Sequence, residues 1–193
     1  MSFEFNSPYS FKIVFESRKE SGSLNDCLIS VDGTDVRIPQ QGPAIPGNPF
    51  SSFKFKGECG LRCEIGVDIL AGNIVWVNRP FAAGKYPDVE IFRLGLMHWL
   101  DEFERVEADD GYNGEAPQRI KCPGCASYPT ENEAMQNRVR SRHELLNGWF
   151  KNWEVLMYRH DLMEHGNVFR AIAVIMQLGI NAGEKLFEVD YSD

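Results

Sequence analysis

Cys27-Leu-Ile-Ser-Val-Asp-Gly-Thr-Asp-Val-Arg-Ile38 decides how this chain is read. Ile29, Val31, Thr34, Val36 and Ile38 are apolar or β-branched and mark a strand around the Asp32-Gly33 pair. A carboxylate inside such a stretch is costly unless something pairs with it. A divalent cation is one such partner, since Mg²⁺ takes oxygen ligands. The other reading makes Asp32 the first residue of a turn before Gly33.

Outward from that strand, Pro39, Pro43, Pro46 and Pro49 predict an irregular loop. Residues 61–70 and 74–78, split by Ala71-Gly72-Asn73, predict a hairpin. Residues 80–87 read as a loop. Asp88 then reads as the N-cap of a helix over 89–100. Residues 105–108 predict a short strand ending at Asp109, followed by a Gly/Pro/Cys loop to Pro129. Thr130, with Glu133 set for a capping box, predicts a long helix to about Trp153. A last helix over 162–180 is stopped by Asn181 and Gly183. Three antiparallel strands, a crossover helix, a further strand and more helices make a mixed α/β sheet flanked by helices.

Two more acids stand out. Asp109 follows the strand Arg105-Val-Glu-Ala108 and precedes Asp110-Gly-Tyr112, where either Asp could instead serve a turn. Glu144 lies on the long helix. At about 100° per residue, Met135, Val139, Leu146, Trp149, Phe150 and Trp153 share one face. Glu144 falls opposite, with Arg140, Asn147 and Lys151 on its side. Those donors suit phosphate oxygens; the plain alternative is a solvated face with an Arg140–Glu144 pair.

Composition limits the rest. The chain has 193 residues, 43% hydrophobic and 25% charged, which fits one globular domain. Its net charge of −8 argues against a general nucleic-acid binder and a polybasic membrane-surface protein. No apolar run is long enough for a membrane span, and the first residues lack the order of a secretory signal. Five cysteines read as reduced thiols rather than a disulfide framework. Cys122 and Cys125, with Cys59 and Cys63, leave structural zinc as an alternative. His98, His143, His160 and His165 show no metal spacing, and His143 reads as structural. Lys54, Lys56, Arg62, Arg79 and Lys85, interleaved with Phe53 and Phe55, suit either nucleic acid or a half-buried strand, and the strand is the expectation.

Four segments in order carry a resemblance. Val31-Asp-Gly-Thr-Asp-Val-Arg-Ile38 resembles the "DGTHV" strand of PIF/Harbinger-type DDE transposases, with Asp35 where the family's His is usual. Ala83-Gly-Lys-Tyr-Pro-Asp88 resembles their Gly-containing loop ending in Asp. Ala108-Asp-Asp-Gly-Tyr112 resembles the "aDkGY" strand end. Residues 138–151 resemble the "R..vE...g.lK" helix. The 35 positions from Asp109 to Glu144 are close to the family's second-to-third spacing.

The resemblance implies a ribonuclease-H-like fold over residues 27–183, between an arm at 1–26 and an acidic tail at 184–193. It implies a catalytic triad of Asp32, Asp109 and Glu144 holding Mg²⁺ or Mn²⁺, with Asp110 as the substitute for Asp109. The implied reaction is DNA phosphodiester cleavage and strand transfer by two metals, with Arg140, Asn147, Lys151 and Asp88 as substrate-side residues. Only about thirty residues precede the first motif, fewer than a helix-turn-helix module needs. The expectation is therefore a catalytic domain alone, aided by a separate DNA-binding protein, or a domesticated domain that only binds protein or DNA. Location would be nuclear in a eukaryote and cytoplasmic otherwise, without membrane attachment. The charge also divides unevenly. Residues 100–115 hold seven acids against Arg105, a local net of −6, leaving −2 for the rest. That does not exclude a DNA substrate, but it predicts weak unaided affinity.

Overall fold

β1 (Ile29–Arg37) runs unbroken through Asp32 and Gly33, so the turn reading at that pair does not hold. The computed structural model describes residues 27–39, 47–102, 104–123, 133–158, 161–184 and 186. The arm at 1–26, Pro43, Pro46, Cys125, the Thr130 cap, the Glu133 side chain, His160 and most of the 184–193 tail lie outside the described residues.

β2 (Gly60–Asp68) and β3 (Ile74–Val77) form the expected hairpin. β4 (Phe81–Ala82) pairs with β2, although the sequence placed it in a loop. α1 (Asp88–Leu94) is shorter than expected: Gly95 ends it, and Leu96–Trp99 continues as a 3-10 turn. Its N-cap is Pro87, so Asp88 is the first helical residue and not the cap. β5 (Val106–Glu107) follows, then a 3-10 turn over Asp110–Glu115 capped by Asp109. β6 (Ile120–Lys121) is a strand inside the segment read as irregular. α2 (Glu133–Lys151) and α3 (Leu162–Asn181) complete the chain. Asp161 caps α3 through bonds from the N–H groups of Met163 and Glu164.

The sheet order is β3-β2-β1-β5-β6, with β4 on β2. β1 pairs antiparallel with β2 and parallel with β5, and β5 pairs parallel with β6. An antiparallel hairpin extended by parallel strands across β1, with helices on both faces, is the ribonuclease-H-like α/β arrangement. β1 is thus the topological switch point, where such sheets place ligand sites.

Alternation along the strands sorts the two faces. Val36, Cys63, Ile65 and Val67 pack with Leu146, Phe150, Phe169, Ile172 and Met176 on the α2/α3 side. The Phe150 and Phe169 rings stack at 4.5 Å. Ile29, Val31, Val106 and Ile120 pack with Phe92, Leu96 and Tyr112 on the α1 side. Each fully buried aliphatic or aromatic side chain in these clusters contributes about 1.5–3 kcal/mol relative to exposure.

The half-buried-strand reading of the Phe53 segment is also corrected. Phe53–Phe55 is a 3-10 turn, and Phe53 stands fully in solvent. Cys27, Cys59 and Cys63 are free and buried, whereas Cys122 is disulfide-bonded, so the reading of all cysteines as reduced fails there. Among the described residues no helix is long and apolar enough to cross a membrane.

Candidate carboxylate site at the sheet switch point

Parallel pairing places Ser30 of β1 opposite Glu107 of β5. Two residues further along the chain are Asp32, within β1, and Asp109, just past the end of β5, so the parallel pairing brings the two carboxylates to about the same level. Asp32 faces α2, where Asn147 Nδ2 donates to its Oδ2 at 2.8 Å. The Gly33 N–H donates to Asp32 Oδ1 at 2.7 Å. Asp109 Oδ1 accepts from the Gly111 N–H at 2.8 Å. Asp32, Asp109 and Glu144 line one cavity of about 250 Å³, with Ser30, Gln136, Arg140 and His143 also on its wall. Asp110 is exposed and does not line it.

The electrostatics are those of a buried carboxylate with a second acid nearby. Burial, then the Asp109 charge, pushes the Asp32 carboxyl up to about 6. Lys54, the Gly33 N–H and Asn147 oppose that rise and do not cancel it. His143 is buried against Ser30, its Nε2 2.8 Å from the hydroxyl, and burial lowers it to about 4. It is a neutral structural group in the cavity wall, as the sequence suggested.

The other predicted residues divide. Arg140 lines the cavity. Lys151 is exposed at the end of α2. Asn147, expected on the solvent side with Glu144, is buried and holds Asp32. The buried face of α2 is therefore wider than the apolar stripe, since it includes Gln136, Arg142, His143 and Asn147. Arg142 turns inward and donates to the Asp68 and Ile69 carbonyls at 3.2 and 2.6 Å.

Asp88 sits on the α1 side, behind β1. A Cβ on Gly33 would lie 2.0 Å from Asp88 Oδ1, so only glycine permits this approach. Asp88 Oδ2 pairs with Arg62 Nη1 at 3.3 Å. Burial raises the Asp88 carboxyl; Arg62 and Lys54 pull it down, and Asp32 and Asp109 push it up. Arg62 also grips the buried Asp35 with two bonds, Nε to Oδ1 at 2.6 Å and Nη2 to Oδ2 at 3.1 Å. Asp35 and Arg62 are direct cross-strand partners in the β1/β2 register. Asp35, inside the β1 motif, is therefore one half of an ion pair with its own side chain buried. Sequence reading left Arg62 between a nucleic-acid contact and a half-buried strand, with the strand as the expectation; β2 carries it as a strand residue, but the pair with Asp35 was not foreseen. Nor did it find Glu64, fully buried, which accepts from Trp76 Nε1 at 2.9 Å and is pushed by burial up to about 8.

The donors suit a hard cation. The cavity offers carboxylate oxygens and no thiolate, and the Asp32–Asp109 repulsion is the field a cation reverses. Gln136 Nε2 and Asn147 Oδ1 are buried without a protein partner, leaving a donor and an acceptor for small polar groups. Among the described residues, no three His, Cys, Asp or Glu side chains are gathered closely enough to hold a metal ion. The carboxylates share a cavity without forming a closed cage, and the cysteines form no zinc cluster among the described residues.

No protein-family model matches this chain. No curated protein sequence matches it either. A crystal structure of the Mos1 mariner paired end complex with Mn is similar at 10% sequence identity and a TM-score of 0.27, over 93% of this chain. The chain spans 62% of that chain's length. A likeness this distant carries no argument about the site.

Proposed function

We propose that this chain is a metal-dependent DNA endonuclease and strand transferase of the DDE class, with Asp32, Asp109 and Glu144 as its acidic triad. The single observation behind this reading is that these three carboxylates line one cavity at the sheet's switch point. The PIF/Harbinger-type motifs in the sequence give the reading its family. Asp32, Asp109 and Glu144 would hold Mg²⁺ or Mn²⁺, which when bound supplies Lewis-acid stabilisation and an activated nucleophile. Water or a DNA 3′-hydroxyl attacks phosphorus and the opposite P–O bond breaks, without a covalent link to the protein.

The chain's own residues have distinct tasks in this scheme. Asn147 and the Gly33 N–H fix the orientation of the Asp32 carboxylate. Arg140, on the cavity wall, meets a phosphate oxygen with a charge-assisted bond. Lys151, exposed at the end of α2, meets the DNA backbone further out. Asp88 acts from behind β1, through its contact with Arg62 and its close approach to Gly33, and is not a direct substrate contact. The acidic stretch beside β5 makes affinity for DNA weak, so a separate DNA-binding protein is the expected partner.

One observation favours a second reading, a domesticated domain that binds without cutting: the described acids are not gathered at ligand distance. Supercoiled plasmid separates the two. The first reading expects nicking in Mn²⁺ or Mg²⁺ at low salt that disappears in EDTA and in Asp32→Ala. Intact plasmid with wild type, or equal nicking by wild type and Asp32→Ala, sinks it.

A further inference from the structure

Beside the carboxylate cavity stands a turn that the triad does not explain. Residues 52–57 close on themselves: the N–H groups of Phe55 and Gly57 donate to the Ser52 carbonyl at 3.2 and 2.9 Å, and the Lys56 N–H donates to the Phe53 carbonyl at 3.0 Å. Lys56 completes the turn in the left-handed region, at φ 54°. The turn is fastened to the sheet by Ser52 Oγ, which donates to the buried Asp35 carboxylate at 2.9 Å. Its two aromatic rings have opposite fates. Phe55 turns back, with its ring against Gly60 and the Arg37 guanidinium 5.4 Å above it. Phe53 is 98% exposed.

Lys54 ties this tip to the site. Its Nζ is 3.5 Å from the Gly33 carbonyl and 4.0 Å from Asp35 Oδ1. The ammonium therefore sits over β1, one residue from Asp32, and it counters the rise of the Asp32 carboxyl. A flat apolar ring held in solvent by a pinned turn, next to a cation close enough to oppose the rise of the Asp32 carboxyl, matches how proteins hold single-stranded nucleic acid: an aromatic stacks on a base while a cation tracks the phosphate. Bases within a duplex offer no free face to such a ring; an unpaired or terminal base does.

We propose that Phe53 stacks on an unpaired DNA base and Lys54 contacts its phosphate, so that the residues 52–57 turn seats a single-stranded or frayed segment beside the Asp32 cavity. This rests on the nuclease reading for its substrate class. It adds a preference for unpaired DNA and a residue that sets it.

The test uses the full chain in Ca²⁺, with a duplex carrying a short single-stranded overhang that contains 2-aminopurine, and a blunt duplex of the same sequence. Wild type should quench the 2-aminopurine and bind the overhang more tightly than the blunt duplex. Phe53→Leu should lose the quenching and bind the overhang about five- to a hundredfold more weakly, as expected for loss of one stacked base, while its blunt-duplex binding and melting temperature stay at wild-type values. Phe53→Trp should retain both the quenching and the preference. Lys54→Gln should weaken overhang binding and lower the salt-dependence slope by about one. Quenching and overhang affinity unchanged in Phe53→Leu overturn the proposal, as does equal wild-type binding of the two duplexes. Plasmid nicking measured in parallel keeps the two ideas apart. Stacking without nicking refutes the nuclease and leaves the turn's role standing; nicking without stacking does the reverse.

Discussion

Replacing Asp32 by Asn should make the metal-free protein more stable. Burial and the neighbouring Asp109 raise the Asp32 carboxyl from 3.8 to about 6. Between those values the folded state binds the proton better than the unfolded chain does, so stability falls as pH rises through the window. Above pH 6 the whole cost is present. A shift of about two units corresponds to roughly 3 kcal/mol, and solvent screening at a half-buried position reduces this to about 1–2 kcal/mol. The substitution removes the charge and keeps the bonds. The new amide oxygen can accept from the Gly33 N–H, and its NH₂ can donate to Asn147 Oδ1, a buried atom without a protein partner, once the Asn147 amide flips. For a chain of this size the gain is about 2–8 °C in melting temperature. Thermal melts in EDTA at pH 7 and pH 4 read it. Asp32→Asn should melt above wild type at pH 7 and level with it near pH 4. No gain at pH 7, or the same gain at both pH values, refutes the argument that Asp32 is held charged at a cost.

The Asp35–Arg62 pair makes an unequal prediction. Arg62→Met leaves buried Asp35 with only the more distant Lys54 ammonium, 4.0 Å away, and also releases Asp88, so it should cost about 3 kcal/mol, whereas Asp35→Asn leaves Arg62 with Asp88 and should cost clearly less; urea melts of the two variants at pH 7 decide the order, and equal costs would count against it. Glu64, raised by burial from 4.5 to about 8, makes stability fall as pH rises across that range. In the part above pH 7, where Asp32 and His143 have largely finished titrating in both the folded and the unfolded state, Glu64→Gln should flatten the fall while its oxygen still accepts from Trp76; a slope between pH 7 and 8 that persists in the variant would show another group to be responsible.

Local patterning made much of the fold legible. The β-branched run of β1, the Ala71-Gly72-Asn73 break between β2 and β3, and the periodicity of α2 and α3 each act within a few residues of themselves. β4 and β6 were not legible, because two paired residues leave no period to detect. α1 was overread because Gly95 ends it while its apolar spacing continues into a 3-10 turn. The candidate triad was reached by motif resemblance, not by spacing. The geometry that puts Asp32 level with Asp109 depends on the parallel β1/β5 register, which no local pattern encodes. The same is true of partners distant in sequence: Asp88 read as a helix cap and Arg62 as part of a half-buried strand, and neither reading showed that they meet behind β1. Asn147 was placed on the correct helix, but the wide buried face of α2 turned it from a substrate donor into a support for Asp32.

The central claim is that Asp32, Asp109 and Glu144 together hold a divalent cation. Calorimetric titration of the chain with Mn²⁺ at pH 6.5 tests it most directly. The account predicts saturable binding by wild type, and affinity lower by tenfold or more (roughly what supporting groups of a metal site already cost) in each of Asp32→Asn, Asp109→Asn and Glu144→Gln. The Asp110→Asn control should bind as wild type does. Absence of Mn²⁺ binding by wild type, or binding unchanged in the three amide variants, would contradict it.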